Sequence, residues 1–340
     1  MNNTIINESK LFNKYKSSYK SAFCDLSIYI LNLYCAYYLL WLFRNSYLSI
    51  LTILFLGLLT LKSFIIFHDC GHQSYTPNRI LNYIIGIITG IISYTPLSWN
   101  FRHDTHHVTN GNYNNKYNWG FNEHIYLTLK QYKGFSSIKR IIIKAFITPE
   151  FFYLFIPLIN FIILERFSVS KLFSRKINKD FNKIYWLLEQ IINNFGVFVL
   201  IYNLYKYEIL IHWLCTVWIG SNLGVILFHN QHTFNPPYIV NNKTWNIKDS
   251  GLKGSSYIQV PYLLKYFTGG IEYHHIHHMN SKIPGYNLQA YHEEVVSNSS
   301  MFDNVVKLSM ADCYKNLWLV LYDEDKNKYI TFKEADEEIK

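Results

Sequence analysis

Apolar residues fall into long runs along this chain, and two of them stand side by side near its start. Residues 26–43 (LSIYILNLYCAYYLLWLF) and 47–67 (YLSILTILFLGLLTLKSFIIF) are separated only by Arg44-Asn45-Ser46. Each approaches the ~20 residues a helix needs to cross a bilayer, so the pair predicts a membrane hairpin that returns the chain to its starting side. Lys62, near the end of the second run, is expected to snorkel toward headgroups. Two further runs, roughly 186–205 and 209–228, flank Lys206-Tyr207-Glu208 and predict a second hairpin. Its first arm is weakened by Glu189, Gln190 and two asparagines.

Two other apolar stretches read differently. Residues 80–98 contain two glycines and Pro96, and residues 145–164 contain Pro149, Glu150 and Pro157. The latter run into a basic stretch with Arg166, Lys171, Arg175, Lys176, Lys179 and Lys183, and basic loops favour the cytoplasmic side. Both stretches are therefore expected to be interfacial or re-entrant. The pattern predicts an all-α integral membrane fold of two transmembrane hairpins, about four spans, with a cytosolic helical cap. Residues 1–23 read as a polar cytosolic arm, 24–325 as one functional domain and 326–340 as a charged tail.

Composition supports a membrane setting. Of 340 residues, 50% are hydrophobic and only 16% charged, against ~25% charged in soluble proteins. The net charge of +9 accompanies no nucleic-acid-binding motif, so an anionic membrane surface is its expected partner and nucleic acid is not. Cys24, Cys35, Cys70, Cys215 and Cys313 are scattered without a CxxC pair, which fits a reducing, cytosol-facing environment.

Histidine carries the chemistry. His68 and His72 form H-x-x-x-H at the end of the second run. His103, His106 and His107 form H-x-x-H-H after the stretch 80–98, and His274, His277 and His278 repeat that spacing. Residues at i, i+3 and i+4 share one helix face, so each box presents its imidazoles together while His275 points elsewhere. His232 follows the last run. A crossing at 80–98 would separate the second box from the first, which is a further reason to read that stretch as non-crossing. Nine candidate nitrogens exceed the four that one zinc takes, whereas two metals with four or five each can use them. Imidazole suits iron, and open positions allow dioxygen to bind.

These boxes and their placement resemble the membrane-bound fatty acid desaturases, a di-iron family. HDCGH as the first box, and LFHNQHTF, SGLKGSSYIQVP and FTGGIEYHHIHHMNSKIPGYNLQ between Leu227 and Gln289, resemble the acyl-lipid omega-6 or delta-12 branch. The resemblance covers roughly residues 45–325. It implies that His68, His72, His103, His106, His107, His232, His274, His277 and His278 ligate two iron ions, with O2 as co-substrate and electrons from an external carrier. Three departures stand out. No HPGG haem motif is present; box three begins with His274 rather than the glutamine of front-end desaturases; and His229 adds a histidine near His232, with direct ligation left open.

The reaction implied is removal of two hydrogens from adjacent unactivated methylenes, which no side-chain base can deprotonate. The protein's expected part is a narrow apolar tunnel lined by Trp, Tyr and Phe that holds the acyl chain at the metals and excludes water. Asp69, Asp104 and Glu272 stand beside ligands and are candidates to hydrogen-bond imidazole N–H groups, with ordinary solvated or capping roles as the alternative. His124, His212 and His292 match no box and are expected to be structural. Asp323–Asn327 loosely echoes a calcium loop but has Lys328 where glycine is needed, and reads as solvated. With no flavin, nicotinamide or iron–sulfur fingerprint, a ferredoxin or cytochrome b5 type donor is expected. Its docking surface is expected at Lys139, Arg140, Lys144, Lys171, Arg175 and Lys176. Hydroxylation or another oxidation of a lipid chain on the same scaffold is the alternative outcome, and a non-enzymatic metal transporter a more distant one.

Overall fold

The computed structural model describes residues 8–114, 127–165 and 183–339. In chain order its helices are α1 (Glu8–Tyr15), α2 (Tyr19–Phe43), α3 (Ser49–Gly71), α4 (Arg79–Ile92), α5 (Asn100–His107), α6 (Leu129–Lys133), α7 (Ser137–Ile147) and α8 (Pro149–Ile159). They continue with α9 (Lys183–Lys206), α10 (Leu210–His232), α11 (Ile247–Gly254), α12 (Lys265–Thr268), α13 (His274–Met279), α14 (Gly285–Asn298), α15 (Met310–Asn316) and α16 (Phe332–Glu337). Strands are few: β1 (Tyr257–Ile258) pairs in parallel with β2 (Lys307–Leu308), and β3 (Leu321–Asp323) pairs antiparallel with β4 (Lys328–Ile330).

Four helices, α2, α3, α9 and α10, are long and apolar enough to cross a membrane. Helix α2 shows why they need lipid. It buries a narrow seam of Ala22, Tyr29, Ala36 and Leu40, while Leu31 and Tyr34 on its other faces are 63% and 72% exposed. That much outward apolar surface would be costly in water and is at home in hydrocarbon. Helix α3 lies at the centre, packed on α2, α4, α10 and α12. It meets α10 closely where its Gly57 faces α10 and Gly220 of α10 faces it. A Cβ on Gly57 would stand 2.5 Å from Ile219, and one on Gly220 would stand 2.8 Å from Thr60. The tips of the two hairpins come together, with Arg44 Nε 3.4 Å from Glu208 Oε2, at the end opposite the histidine boxes.

The stretches expected not to cross are each two short helices with a sharp bend, 99° between α4 and the segment Leu97–His107, and 69° between α7 and Pro149–Glu165. At ~1.5 Å per residue, the 14-residue α4 is ~21 Å long, short of the ~30 Å hydrocarbon core.

Several expectations are corrected. Within the polar arm, α1 packs on α14, where the Tyr15 and Tyr291 rings meet edge to face at 5.7 Å and Asn287 Nδ2 donates to the Tyr15 carbonyl at 2.8 Å. Helix α2 begins at Tyr19, seven residues before the apolar run, because Ser18 caps it by accepting from Ser21 N–H. Lys62 does not snorkel. It is 3% exposed and pairs with Asp25 at 2.9 Å, so its charge is met inside the helix bundle.

Residues 326–340 are not a solvated tail. Ile330, Phe332 and Ala335 are buried against α6, and the expected boundary at 325 cuts the β3–β4 hairpin. In the calcium-like stretch, Asp323 Oδ1 accepts from the amides of Asp325 and Lys326 at 3.1 Å each, a local turn rather than an ion loop. The acidic residues pair with basic ones of α6 and α7: Lys130–Asp325 at 3.0 Å, Lys133–Glu338 at 2.9 Å and Lys144–Asp336 at 2.6 Å. Lys144 is thereby engaged within the chain, and Lys139 lies over the Phe135 ring at 3.6 Å. Lys171, Arg175 and Lys176 of the expected docking surface lie outside the described residues, as does His124.

Candidate metal centre

Four elements bring the boxes together. The last turn of α3 carries His68, with His72 as its cap; α5 carries His103, His106 and His107; α10 ends on His232; and α13 carries His274, His277 and His278. All nine are buried. Helix α3 continues through the first box rather than stopping before it, so His68 and His72 keep the i, i+4 spacing on one face.

The nine sort into two groups that cut across the boxes. His68, His72, His103, His107 and His277 offer five nitrogens lying within 4.8 Å of one another, and His106, His232, His274 and His278 offer four. Boxes two and three are therefore each divided. The i, i+4 pair His103/His107 serves the first group and His106 the second, whereas His274/His278 serves the second and His277 the first. The groups abut through His107 and His278, whose rings stack at 4.2 Å.

These residues fit metal ions by three observations. First, Nε2 atoms converge: His68–His103 at 2.8 Å, His103–His107 and His107–His277 at 3.0 Å, His106–His232 at 3.0 Å and His232–His274 at 2.9 Å. Metal–nitrogen bonds of ~2.0–2.1 Å at right angles put nitrogens ~3 Å apart. Second, the outer nitrogens are held where a ligand needs them. His68 Nδ1 is 3.2 Å from Asp69 Oδ1, His72 Nδ1 is 3.2 Å from Asp104 Oδ1, and His232 Nδ1 donates to the Gly254 carbonyl at 3.0 Å. Those contacts favour the tautomer whose Nε2 lone pair faces the centre. Third, His72 Nε2 and both ring nitrogens of His278 are buried without a hydrogen-bond partner, a cost that a bound cation removes for the nitrogens it takes.

Electrostatics agree. Burial, followed by neighbouring imidazoles, holds His103, His107, His274, His277 and His278 well below the usual histidine pKa. They are neutral at physiological pH, the form that ligates.

Asp69 does more than meet His68. Its Oδ2 accepts from Gly285 N–H at 2.6 Å, tying box one to the start of α14. Glu272 does not meet a ligand: its Oε2 accepts from Thr268 Oγ1 at 2.7 Å, and burial raises its pKa, so it braces the turn before box three. His229 stands apart from both groups and donates through Nε2 to the Asn316 carbonyl at 2.8 Å. His275 and His292 pair at 3.3 Å beside Phe302, away from the metal groups. Sequence reasoning did not single out Trp99, whose indole stacks on His103 at 4.5 Å and 18°. Its position four residues before His103 on a continuous helical segment was the available signal.

A cavity of about 250 Å³ reaches His68 and His103 of one group and His274 of the other. Phe64, Trp99, Phe161 and Phe228 line it, together with Gly220 and Gly224 from the α3–α10 crossing. It is apolar for most of its surface, suited to a hydrocarbon chain beside the metals.

The sequence profile of the fatty acid desaturase family matches residues 45–303. A Bacillus subtilis (strain 168) protein named fatty acid desaturase is 30% identical over 316 residues, 90% of this chain and 85% of its own length. The chloroplastic omega-6 fatty acid desaturase of Arabidopsis thaliana is 23% identical over 79% of this chain and 58% of its own length. The sn-1 acyl-lipid omega-3 desaturase (ferredoxin) of Nostoc sp. (strain 36) is 39% identical over 61 residues, 16% of each chain. With these matches, the four membrane-length helices and the paired histidine groups, the chain belongs to the fatty acid desaturase family and is a membrane oxidoreductase that desaturates fatty acyl chains.

Proposed function

We propose that the chain is an acyl-lipid desaturase in which His68, His72, His103, His107 and His277 hold one iron and His106, His232, His274 and His278 the other. The observation that carries this reading is the sorting of nine buried imidazoles into groups of five and four, both reached by one apolar cavity. When bound, the iron pair supplies activation of O2 toward an unactivated C–H bond, with O2 and two external electrons consumed per double bond.

The chain's own residues do the rest. Phe64, Trp99, Phe161 and Phe228 hold the acyl chain by apolar contact and exclude water. Asp69 and Asp104 orient His68 and His72 through their Nδ1 atoms, and the Gly254 carbonyl orients His232.

Three finer points belong to the same reading. The substrate is a lipid-linked acyl chain attacked in omega-6 fashion, supported by the names of the chloroplastic relatives, by the acyl-lipid name of the Nostoc relative and by the resemblance of the third-box region to that branch. The donor is a ferredoxin-type carrier, supported by the name of the Nostoc relative. All boxes and both termini face the cytosol; the hairpin tips meeting at the opposite end support a common side, and the basic stretch after residue 164 supports its being the cytosolic one. Expression in a host lacking polyunsaturated lipids, followed by lipid profiling, tests the reading. A new double bond at a fixed position is expected, and a hydroxylated chain, or no product from a metal-loaded and correctly inserted protein, would overturn it.

A further inference from the structure

Helix α9 is apolar enough to cross a membrane, yet Glu189, Gln190 and Asn193 on it are 6%, 7% and 2% exposed. An ionisable group at membrane depth is costly and is found where it performs a task. None of the three belongs to a histidine group. The Glu189 carboxylate instead faces the start of the box-two helix. The Ser98 amide donates to its Oε1 at 2.9 Å and Oε2 at 3.1 Å, and Gln190 Nε2 donates to Ser98 Oγ at 3.4 Å.

Ser98 lies in the 3-10 turn Leu97–Trp99 that runs directly into α5. The first N–H groups of a helix lack partners within it, and a side chain at the cap usually takes one. Pro96 holds the cap position here and makes no side-chain hydrogen bond. Glu189 supplies the missing acceptor from another helix, with its carboxyl group at the positive end of the helix dipole. One residue further on, Trp99 stacks on His103 and meets Phe64 edge to face at 5.2 Å. The placement of this turn is therefore passed to a box-two imidazole.

We propose that Glu189 is a positioning residue that caps the box-two helix in trans and so fixes the Trp99–His103 stack in the five-histidine group. The link to iron rests on the ligand assignment above, whereas the cap itself does not depend on it. The test uses the full chain in lipid nanodiscs with Glu189→Gln, Glu189→Asp and Glu189→Leu. Glutamine keeps an acceptor at the same reach, aspartate keeps the carboxyl group but falls one methylene short, and leucine keeps neither.

Hydrogen exchange across residues 97–107 is read in the metal-free protein, and the spectroscopic signature of iron and the turnover in the loaded one. Glu189→Gln is expected to protect the segment nearly as wild type does, with a few-fold lower turnover, because an amide presents one acceptor oxygen where the carboxyl group presents two. Glu189→Asp and Glu189→Leu are expected to exchange about tenfold faster, shift the iron signature and lose about 10–100-fold in turnover, the usual cost of losing a ligand's support. If the leucine variant does not insert, aspartate against glutamine decides. Wild-type exchange in the aspartate variant would overturn the proposal. So would a glutamine variant as damaged as the aspartate one, since charge or a proton would then be what matters. A wild-type protein that shows the protection but makes no double bond would instead count against the desaturase reading.

Discussion

The two histidine groups are built from the same residue type but supported differently. In the five-nitrogen group, two imidazoles have a carboxylate at their outer nitrogen, Asp69 at His68 and Asp104 at His72. In the four-nitrogen group, His232 leans on a backbone carbonyl, and outer nitrogens buried without a partner occur on both sides, at His277 of the first group and at His274 and His278 of the second. A carboxylate raises the basicity of the imidazole it holds more than a carbonyl does. Among the described residues, the five-nitrogen group thus offers one more ligand nitrogen and two carboxylate supports, so the two proposed metal sites would differ.

Removing one ligand from each side gives the largest expected effects. His277→Ala takes a nitrogen from the five and His278→Ala one from the four, and each should lower turnover by about 100-fold or more, beyond the usual loss of an orienting partner. Metal analysis should show the greater loss of iron in His278→Ala, which leaves three nitrogens against four. Equal iron contents would break the asymmetry.

Next come the carboxylates. Asp69→Asn is expected to cost ~10–100-fold in activity, since Asp69 is buried and also anchors Gly285. Asp104→Asn should cost less, because its side chain is 60% exposed and solvent already screens it. A larger loss at Asp104, read from steady-state rates, would reverse the ranking.

Acid acts on the buried histidines through the unfolded state. His103, His107, His274, His277 and His278 are held neutral by burial, and so is His292, pushed down to about 4. Unfolded histidines protonate below ~6.5, so the unfolded state binds more protons as pH falls. Stability conferred by these residues is complete above that value and lost on acidification. Melting temperatures should fall between pH 7 and 5 with similar slope in metal-free and iron-bound protein, because the folded state takes up no protons in either, while bound iron raises the whole curve. A melting temperature independent of pH in that window would contradict the neutral, buried state of these imidazoles.

The smallest effect is expected at His229. Its bond to the Asn316 carbonyl is neutral and lies outside both groups, so His229→Gln should leave iron content at the wild-type level and change turnover only a few-fold. Loss of an iron in this variant would add it to the ligands.

The chain pattern made the spans and the boxes legible because both depend on local periodicity. Spans need uninterrupted apolar length, and a box needs only i, i+3, i+4 spacing. What stayed hidden is set by contacts between distant segments. Spacing says that His274, His277 and His278 share a face, but only the crossing of α5 and α13 decides that His277 joins one group and its neighbours the other. Lys62 read as a snorkelling residue because its partner, Asp25, lies on another helix. Glu272 read as a ligand's partner because it is adjacent in sequence, while its side chain turns back to Thr268. The last fifteen residues read as a tail because their charges were counted without the lysines of α6 and α7 that pair with them.

Mössbauer spectroscopy with quantitative iron analysis, on full-length protein grown on enriched iron, tests the division of nine histidines most directly. Two irons per chain are expected, giving two nitrogen-rich signals of equal area with distinct parameters. A single iron per chain, or two irons giving one identical signal, would contradict the five-and-four arrangement.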